Sequence, residues 1–371
     1  MIVLDITRLI VLLTLNAKGA ARERSSFCIH GEMEIPQLPK KKGAILTMCT
    51  CVVMGKNHRY FGRTLDYECR FGESAAITPR NYPFSLKNGS AIRTRYAMNG
   101  MATVVGDYPL YAEAVNEKGL AMAGLNFPGS AVYFEPAEGK LNLTPFELIP
   151  WFLGQYETAA QVRECLPKLV ITNVPFSEKL PLSWLHWMIS DKNECIVIEQ
   201  TNEGLRWYEN PTGVMTNNPP FPFQMMNLRN YLNLSPNDPV NRFSDRLTLL
   251  PYGRGMGAIG LPGDNSPESR FVRAAFNKLN SECAEDEVSC VTQFFHVLES
   301  VSLVRGATIT EDGKPDITNY SCCVDTESGT YYYRTYTNSQ ITAVKMTEKE
   351  KNAAALINIP LVEEQQIYYV N

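Results

Sequence analysis

Met48-Cys49-Thr50-Cys51, running on to Met54 and followed after a short gap by Phe61-Gly62-Arg63-Thr64-Leu65-Asp66, is the stretch on which the fold turns. Small and apolar residues alternate from Cys49 to Met54, Gly55-Lys56-Asn57 carries turn chemistry, and Tyr60-Phe61 resumes the apolar pattern. The pattern predicts a β-hairpin with Cys49 at its start. Arg63 and Asp66 are expected just past its second strand. The cysteine's place after a methionine has a chemical consequence. A chain-terminal α-amine titrates near pH ~7.7–8, whereas a peptide nitrogen has no useful basicity, so a cysteine that begins a chain can pass its thiol proton to its own nitrogen. Such chemistry needs no histidine.

As written, 48 residues precede Cys49. Residues 1-47 differ in kind from the rest of the chain. The apolar run Leu9-Ile10-Val11-Leu12-Leu13-Thr14-Leu15 is too short to span a bilayer, and Asp5 spoils the positive end of a secretion signal. Cleavage near Ala17-Lys18-Gly19 would leave Cys49 internal. Lys41-Lys42-Gly43 allows another reading, because lysine and glycine codons can spell a purine-rich ribosome-binding sequence upstream of a start codon at Met48. The expectation is a non-family extension over residues 1-47, from a mis-assigned start or as a removed propeptide, and a single domain over 48-371.

Composition narrows the partners. The chain has 371 residues, 44% hydrophobic and 20% charged, as expected of a globular protein with a large core. Its net charge is -4, and lysine and arginine are scattered, which argues against a nucleic-acid footprint and for a small substrate. Ten cysteines form no CxxC pair, so they are expected to be mostly reduced core thiols in a cytosolic setting.

Further along, Thr144-Pro145-Phe146-Glu147 reads as a capping box opening a helix pair over roughly 145-168, with a second cap at Thr158. Trp184 to Ser190, Cys195 to Thr201 and Leu205 to Tyr208 read as strands. Ser266-Pro267 starts a helix with Phe271, Ala274, Ala275 and Leu279 on one face, and a longer helix is expected around Val288-Val304. Thr330 to Met346 reads as a hairpin turning at Asn338-Ser339. Strands and helices fall in blocks, which favours a layered α+β architecture over a doubly wound sheet.

Seven separated motifs stand in order: Met48-Cys49-Thr50, Phe61-Gly62-Arg63 with Asp66, Asn116-Glu117-Lys118-Gly119-Leu120, Gly124-Leu125-Asn126-Phe127-Pro128, Leu185 through Asp191, Thr216-Asn217, and Ser269-Arg270-Phe271. In this combination the chain resembles the choloylglycine hydrolases, specifically bile salt hydrolases, from Met48 almost to the C-terminus. The resemblance implies a four-layer αββα sandwich of the N-terminal nucleophile hydrolase type. It further implies that Cys49 attacks the amide of a glycine- or taurine-conjugated bile salt, forming a thioester and releasing the amino acid. On the same resemblance, Asp66 holds the Cys49 amine, Arg63 favours thiolate, Asn126 and Asn217 form the oxyanion hole, and Arg270 supports the site electrostatically. Leu65, Met101, Val104, Val105, Val170, Ile171, Phe176 and Leu182 fall in or beside segments that form substrate loops in the family. A homotetramer is also implied, with Phe127 to Lys140 where an assembly loop would lie, and a cytoplasmic location.

Taken singly, these residues have plainer readings: a buried cysteine is usually a small hydrophobe, and an Arg–Asp pair is usually a surface ion pair worth ~0–1 kcal/mol. Their joint occurrence carries the enzyme reading. Within the same family, penicillin V acylase is the alternative activity, although asparagine at position 126 resembles the bile salt enzymes. A non-enzymatic lipid-binding relative is the alternative of another class. Three other signals are set aside. Gly255-Met256-Gly257-Ala258-Ile259-Gly260 fits GxGxxG, but Leu261-Pro262-Gly263-Asp264 follows where a helix should open, so it reads as a loop and no cofactor is expected. His30, His58, His186 and His296 are dispersed without HExxH, so no metal is expected. His186 reads as a core residue, and a papain-like pairing of cysteine with His186 or His296 lacks that class's local cysteine signatures.

Overall fold

In the computed structural model, residues 48–55 and 58–371 are described. The expectations for residues 1-47, including His30, lie outside the described residues, as do Lys56 and Asn57 of the first turn. Eighteen strands are described. A six-stranded sheet holds β1 (Met48–Met54), β2 (Tyr60–Tyr67), β14 (Val214–Met215), β15 (Ile317–Asp325), β16 (Tyr331–Thr335) and β17 (Asn338–Val344), in the order β14-β1-β2-β15-β16-β17. An eight-stranded sheet holds β3 (Glu73–Thr78), β6 (Met98–Val105), β7 (Tyr108–Asn116), β8 (Ala121–Asn126), β11 (Leu185–Ser190), β12 (Cys195–Thr201), β13 (Gly204–Glu209) and β18 (Ile357–Pro360), in the order β13-β12-β11-β8-β7-β6-β3-β18. Two small pairs complete the set, β4 (Pro83–Ser85) with β5 (Ala91–Arg93), and β9 (Leu141–Leu143) parallel to β10 (Leu169–Ile171).

The sheets stack face to face, with β1 and β2 against β8. Helices α1 (Leu148–Gln155) and α2 (Ala159–Cys165) belong to the outer side of the eight-stranded sheet, where α1 packs on β7 and β8. The short α3 (Phe221–Asn227) leads toward α4 (Pro267–Asn280) and α5 (Glu287–Glu299), which pack on β1, β2 and β15 from the other side. The result is the αββα sandwich, and its layers are written in strand parity. Ala121, Ala123, Leu125, Met188 and Val197 join the core between the sheets, while their neighbours Met122, Trp187, Ile189, Ile196 and Ile198 join the core under α1 and α2. Successive side chains of a strand point to opposite faces, so a sheet buried on both faces needs apolar residues at both parities.

The predicted hairpin forms with Cys49 opposite Leu65 and Met48 opposite Asp66. Arg63 and Asp66 lie inside β2 rather than past it, because Ile317–Asp325 pairs along its other edge and keeps the strand extended to Tyr67. Gly62 permits that pairing: a Cβ there would sit 2.0 Å from the Cys322 carbonyl oxygen. The helix pair is present but broken into turns, with the Glu147 carboxylate accepting the Thr144 amide at 2.8 Å and the Thr158 hydroxyl accepting the Gln161 amide at 3.3 Å. Ser266 caps α4 as expected, and Phe271, Ala274 and Ala275 are buried. Leu279 is 59% exposed, since α4 ends one residue later, at Asn280, beyond the sheet it covers. Helix α5 stops at Glu299 instead of reaching Val304, and the final hairpin turns at Tyr336-Thr337, two residues before Asn338-Ser339, with Thr335 opposite Asn338. Gly255 takes a left-handed φ of 80° ahead of a single 3-10 turn, so the glycine-rich segment opens no helix that could bind phosphate.

Candidate active site

Five charged or amide side chains converge where β1 begins, all of them buried or nearly so. Arg63 is 1% exposed, and its Nη2 donates to Cys49 Sγ at 2.6 Å while Nη1 donates to the Gly124 carbonyl at 2.6 Å. From the other side, the fully buried Arg270 donates through Nη1 to the Cys49 carbonyl and, at 2.8 Å, to the Thr50 hydroxyl. Its Nη2 donates to Asn217 Oδ1 at 2.7 Å. Asn217 Oδ1 also accepts the Cys49 backbone nitrogen at 2.9 Å, and Asn217 Nδ2 donates to the Asn126 carbonyl at 2.8 Å. Five elements supply these groups: β1 the thiol, β2 both Arg63 and Asp66, the end of β8 Asn126, the segment after β14 Asn217, and the first turn of α4 Arg270.

The electrostatics follow from burial. Removal from water pushes the Cys49 thiol up, with Arg63 and then Arg270 pulling against it and Asp66 adding to it. Burial also pushes the Asp66 carboxyl up to about 6, although Arg270, Thr318, Thr64 and Arg63 all favour its ionised form. The Asp66 oxygens accept the Thr318 hydroxyl at 2.6 Å and the Thr64 hydroxyl at 3.0 Å.

The structure therefore brings together all six residues proposed for catalysis, but distributes their contacts differently from the expectation. The Cys49 nitrogen meets Asn217 rather than Asp66, and the donor atom of Asn217 is taken up by a carbonyl. The side-chain amide of Asn126 makes no hydrogen bond among the described residues.

The residues proposed to line the substrate site separate. Leu65 is half-buried opposite Cys49, and Val104 and Val105 end β6 half-buried. Val105 lies opposite Tyr108, whose ring meets Phe176 at 5.3 Å, so these two share one patch. Val170 and Leu182 are half-buried at the outer core's margin. Met101 and Ile171, in contrast, are both 0% exposed in the two cores and present no surface to a ligand here. Phe127 and Tyr133 of the expected assembly loop are buried within their own chain, leaving Gly129, Phe134 to Pro136 and Glu138 to Lys140 exposed. A cavity of about 590 Å³ between the edge strands β17 and β18 is lined by Ile77, Tyr333, Val344, Ile357 and Ile359 and contains none of the groups around Cys49. The convergence of buried polar groups, not this hollow, marks the chemistry.

Several contributors were not legible in the sequence. Glu113, 2% exposed, accepts hydroxyls from Tyr320 at 2.9 Å and Tyr331 at 2.6 Å and stands 3.7 Å from Arg63 Nε, as its buried counter-charge. Thr64 and Thr318 on Asp66, and Thr50 on Arg270, likewise carry no signal of their own. Glu113 shares the parity of inward-facing Val115, which is the one signal that pattern reading offered. His186 is buried as expected but hydrogen-bonded at both ring nitrogens. His296 is exposed and pairs with Glu299, so neither histidine forms the papain-like arrangement with Cys49. Among the described residues no group of three or more His, Cys, Asp or Glu is placed to hold a metal ion, no helix is long and apolar enough to cross a membrane, and nine cysteines are free.

A buried cysteine in an αββα sandwich, flanked by two arginines, defines an N-terminal nucleophile type of amidase site. Comparison with known proteins makes this specific. The profile described as "Linear amide C-N hydrolases, choloylglycine hydrolase family" matches residues 49–358, and the chain belongs to that family. It is 49% identical over 324 residues to a bile salt hydrolase/transferase of Lactiplantibacillus plantarum, covering 87% of this chain and 100% of the relative. It is 39% identical to a bile salt hydrolase/transferase of Clostridium perfringens, at 87% and 100% coverage. The crystal structure of a variant of conjugated bile acid hydrolase from Clostridium perfringens superposes with a TM-score of 0.81 at 38% identity, again over 87% and 100%. A penicillin V acylase from Agrobacterium tumefaciens shares the fold, with a TM-score of 0.68 at 20% identity over 87% of this chain and 94% of that one.

Proposed function

We propose that this protein hydrolyses the amide bond of glycine- or taurine-conjugated bile salts through Cys49. The observation that carries the reading is the 2.6 Å contact from Arg63 to the Cys49 sulfur, made beside the hydrogen bond from the Cys49 nitrogen to Asn217. A thiol and its own backbone nitrogen are both held in place, which is the arrangement a terminal cysteine needs to serve as nucleophile and base.

In this reading residues 1-47 are absent from the active form, 48-371 is one domain, and Met48 is removed from it to leave Cys49 first. The start of the family match at residue 49 supports this. The Cys49 amine takes the thiol proton, and the sulfur attacks the amide carbonyl carbon. The proton passes to the leaving nitrogen as the C–N bond breaks, releasing glycine or taurine and leaving a thioester. Water, activated by the same amine, cleaves the thioester and restores the thiol. Asn126, with a free side-chain amide, donates to the tetrahedral oxygen. Asn217 orients the amine, Arg63 and Arg270 hold the sulfur and the Cys49 carbonyl, and Asp66 supplies the negative charge that an amine passing through its protonated form requires.

Substrate choice rests on the relatives' names and on Asn126. Penicillin V and other N-acyl amides are the second substrate class, and capture of the thioester by an amine instead of water would give the transferase reaction that two relatives' names include. The cytoplasmic location and the homotetramer belong to the same proposal. Exposed Val240, Phe243, Leu250 and Tyr252 offer an apolar surface for assembly, and sedimentation of a monomer would refute it.

The test of function is release of glycine from glycocholate by purified protein under reducing conditions, with penicillin V in parallel and the intact mass measured to locate the first residue. Hydrolysis by a chain that begins at Cys49 is expected. No release from glycocholate alongside cleavage of penicillin V overturns the substrate, and turnover by Cys49→Ser overturns the mechanism.

A further inference from the structure

His186 and Glu199 stand behind the site, on neighbouring strands β11 and β12, and the chemistry above makes no use of them. His186 lies on the inward parity of β11 with Met188, is 1% exposed, and touches both loops that carry the site's asparagines. Its ring stacks on Phe127, the residue after Asn126, with centroids 4.2 Å apart and planes 5° from parallel. Its Nε2 lies 2.8 Å from the carbonyl oxygen of Thr216, the residue before Asn217. A carbonyl only accepts, so that nitrogen carries a hydrogen. The other nitrogen, Nδ1, lies 3.1 Å from Glu199 Oε1, which also accepts the Phe221 amide at 3.0 Å. Glu199 thereby orients the ring and fixes the far end of the same 216–221 segment.

We infer that His186 and Glu199 are positioning residues for the hydrolytic site: together they set the place of Asn217, and through it that of the Cys49 nitrogen and the Asn126 backbone. Three contacts converge on this. Thr216 is held through its carbonyl by His186 and through its hydroxyl by the Pro267 carbonyl at 3.0 Å, so the backbone entering Asn217 has two anchors. Asn218 Nδ2 donates to the Pro128 carbonyl, joining the two asparagine loops a second time. Glu199 Oε1 serves both His186 and the Phe221 amide, while its Oε2 has no hydrogen-bond partner among the described residues. A fully apolar core would need neither group. A buried His–Glu pair costs desolvation, and what it supplies here is orientation of a loop whose error tolerance is small, since misplacement by about 1 Å can cost about 100-fold in rate.

The inference rests on the proposed role of Cys49, and two readouts keep it separate from the choice of substrate. The first is the crystal structure of His186→Gln. Glutamine cannot span Thr216 and Glu199 together, so the Asn217 Oδ1 to Cys49 nitrogen contact is expected to open beyond about 3.5 Å. The second is steady-state hydrolysis of glycocholate, normalised to the native fraction measured by near-UV circular dichroism so that misfolded protein does not count. His186→Gln is expected to lose about 10- to 100-fold in kcat with KM within about twofold, and Glu199→Gln, which keeps the size and one acceptor, about 3- to 10-fold. A purely structural role would lower the native fraction and leave kcat per native molecule unchanged. An Asn217–Cys49 contact kept within hydrogen-bond distance in the variant, or kcat per native molecule within twofold of the parent, overturns the proposal. If His186→Gln yields no soluble protein, Glu199→Gln is judged by the same two measurements.

Discussion

The two faces of the eight-stranded sheet are both buried, yet they are buried for different ends. Its outer face, under α1 and α2, is closed by Met122, Trp187, Ile189, Phe152 and Leu153, with the buried carboxylates Glu147 and Asp191 engaged by backbone amides at the helix starts. Its inner face is also largely apolar, but at one end of the inter-sheet layer it shares space with Arg63 and Glu113, while Asp66 and Arg270 face them across β1 and β2 from the α4 side. The outer face gains stability from area removed from water, roughly 25 cal/mol per Å². At the inner end, desolvated charge offsets some of that gain. Function is concentrated where the packing is least favourable, and the arginines remain charged there because each is spanned by acceptors: Gly124, Glu113 and Cys49 for one, the Cys49 carbonyl, Asn217 and Asn265 for the other.

Four substitutions would break or sharpen this contrast. The largest effect is expected at the inner end with no loss of fold: Cys49→Ser should lower hydrolysis by at least about 10⁴-fold while thermal unfolding stays within about 2 °C, measured by glycine release and calorimetry. On the outer face the pattern should reverse. Phe152→Ala should cost roughly 3–5 kcal/mol in denaturant unfolding, because the site cannot fully collapse, and leave kcat per native molecule unchanged. Unchanged stability there would remove the distinction between the faces.

Asp66→Asn tests the inner end as a trade. With the carboxyl raised from 3.8 to about 6 by burial, folding favours its protonated form. That stability is fully present below pH 3.8 and is lost as pH rises through about 6, a change of about 3 kcal/mol. The asparagine variant should lack this loss, so it should gain on the parent by about 2 kcal/mol between pH 4 and 7.5 in urea titrations at each pH, while its hydrolysis falls. A constant difference across that range would contradict the burial argument. The smallest effect is expected at Leu279→Ala, within about 0.5 kcal/mol, since that side chain is largely exposed at the end of α4.

Strands β11 and β12 show why part of the architecture could be read in advance. Leu185 to Ser190 and Cys195 to Thr201 are short, apolar at both parities and bounded by turns, a local pattern that survives any tertiary arrangement, whereas β8 was not read as a strand. Leu279 shows the limit: its spacing matched a buried helical face, but where the helix outruns its sheet is not a local property. Cys49 and the five residues proposed around it were picked out through the company their motifs keep. Glu113, Thr318 and the His186–Glu199 pair carry no motif and were not.

Local chemistry along the chain was enough to determine the hairpin that presents Cys49 and the caps of α2 and α4, because periodicity and capping act over a few residues, whereas the six proposed site residues came from the order of separated motifs. The partners of those residues were decided by the sheet stacking alone. Asn217 and Asn126 are 91 positions apart and Arg270 is 221 from Cys49, so which nitrogen meets which oxygen depends on register and layer spacing that no local pattern encodes. That is why the Cys49 nitrogen falls to Asn217, and why Asp66 rests between two threonine hydroxyls.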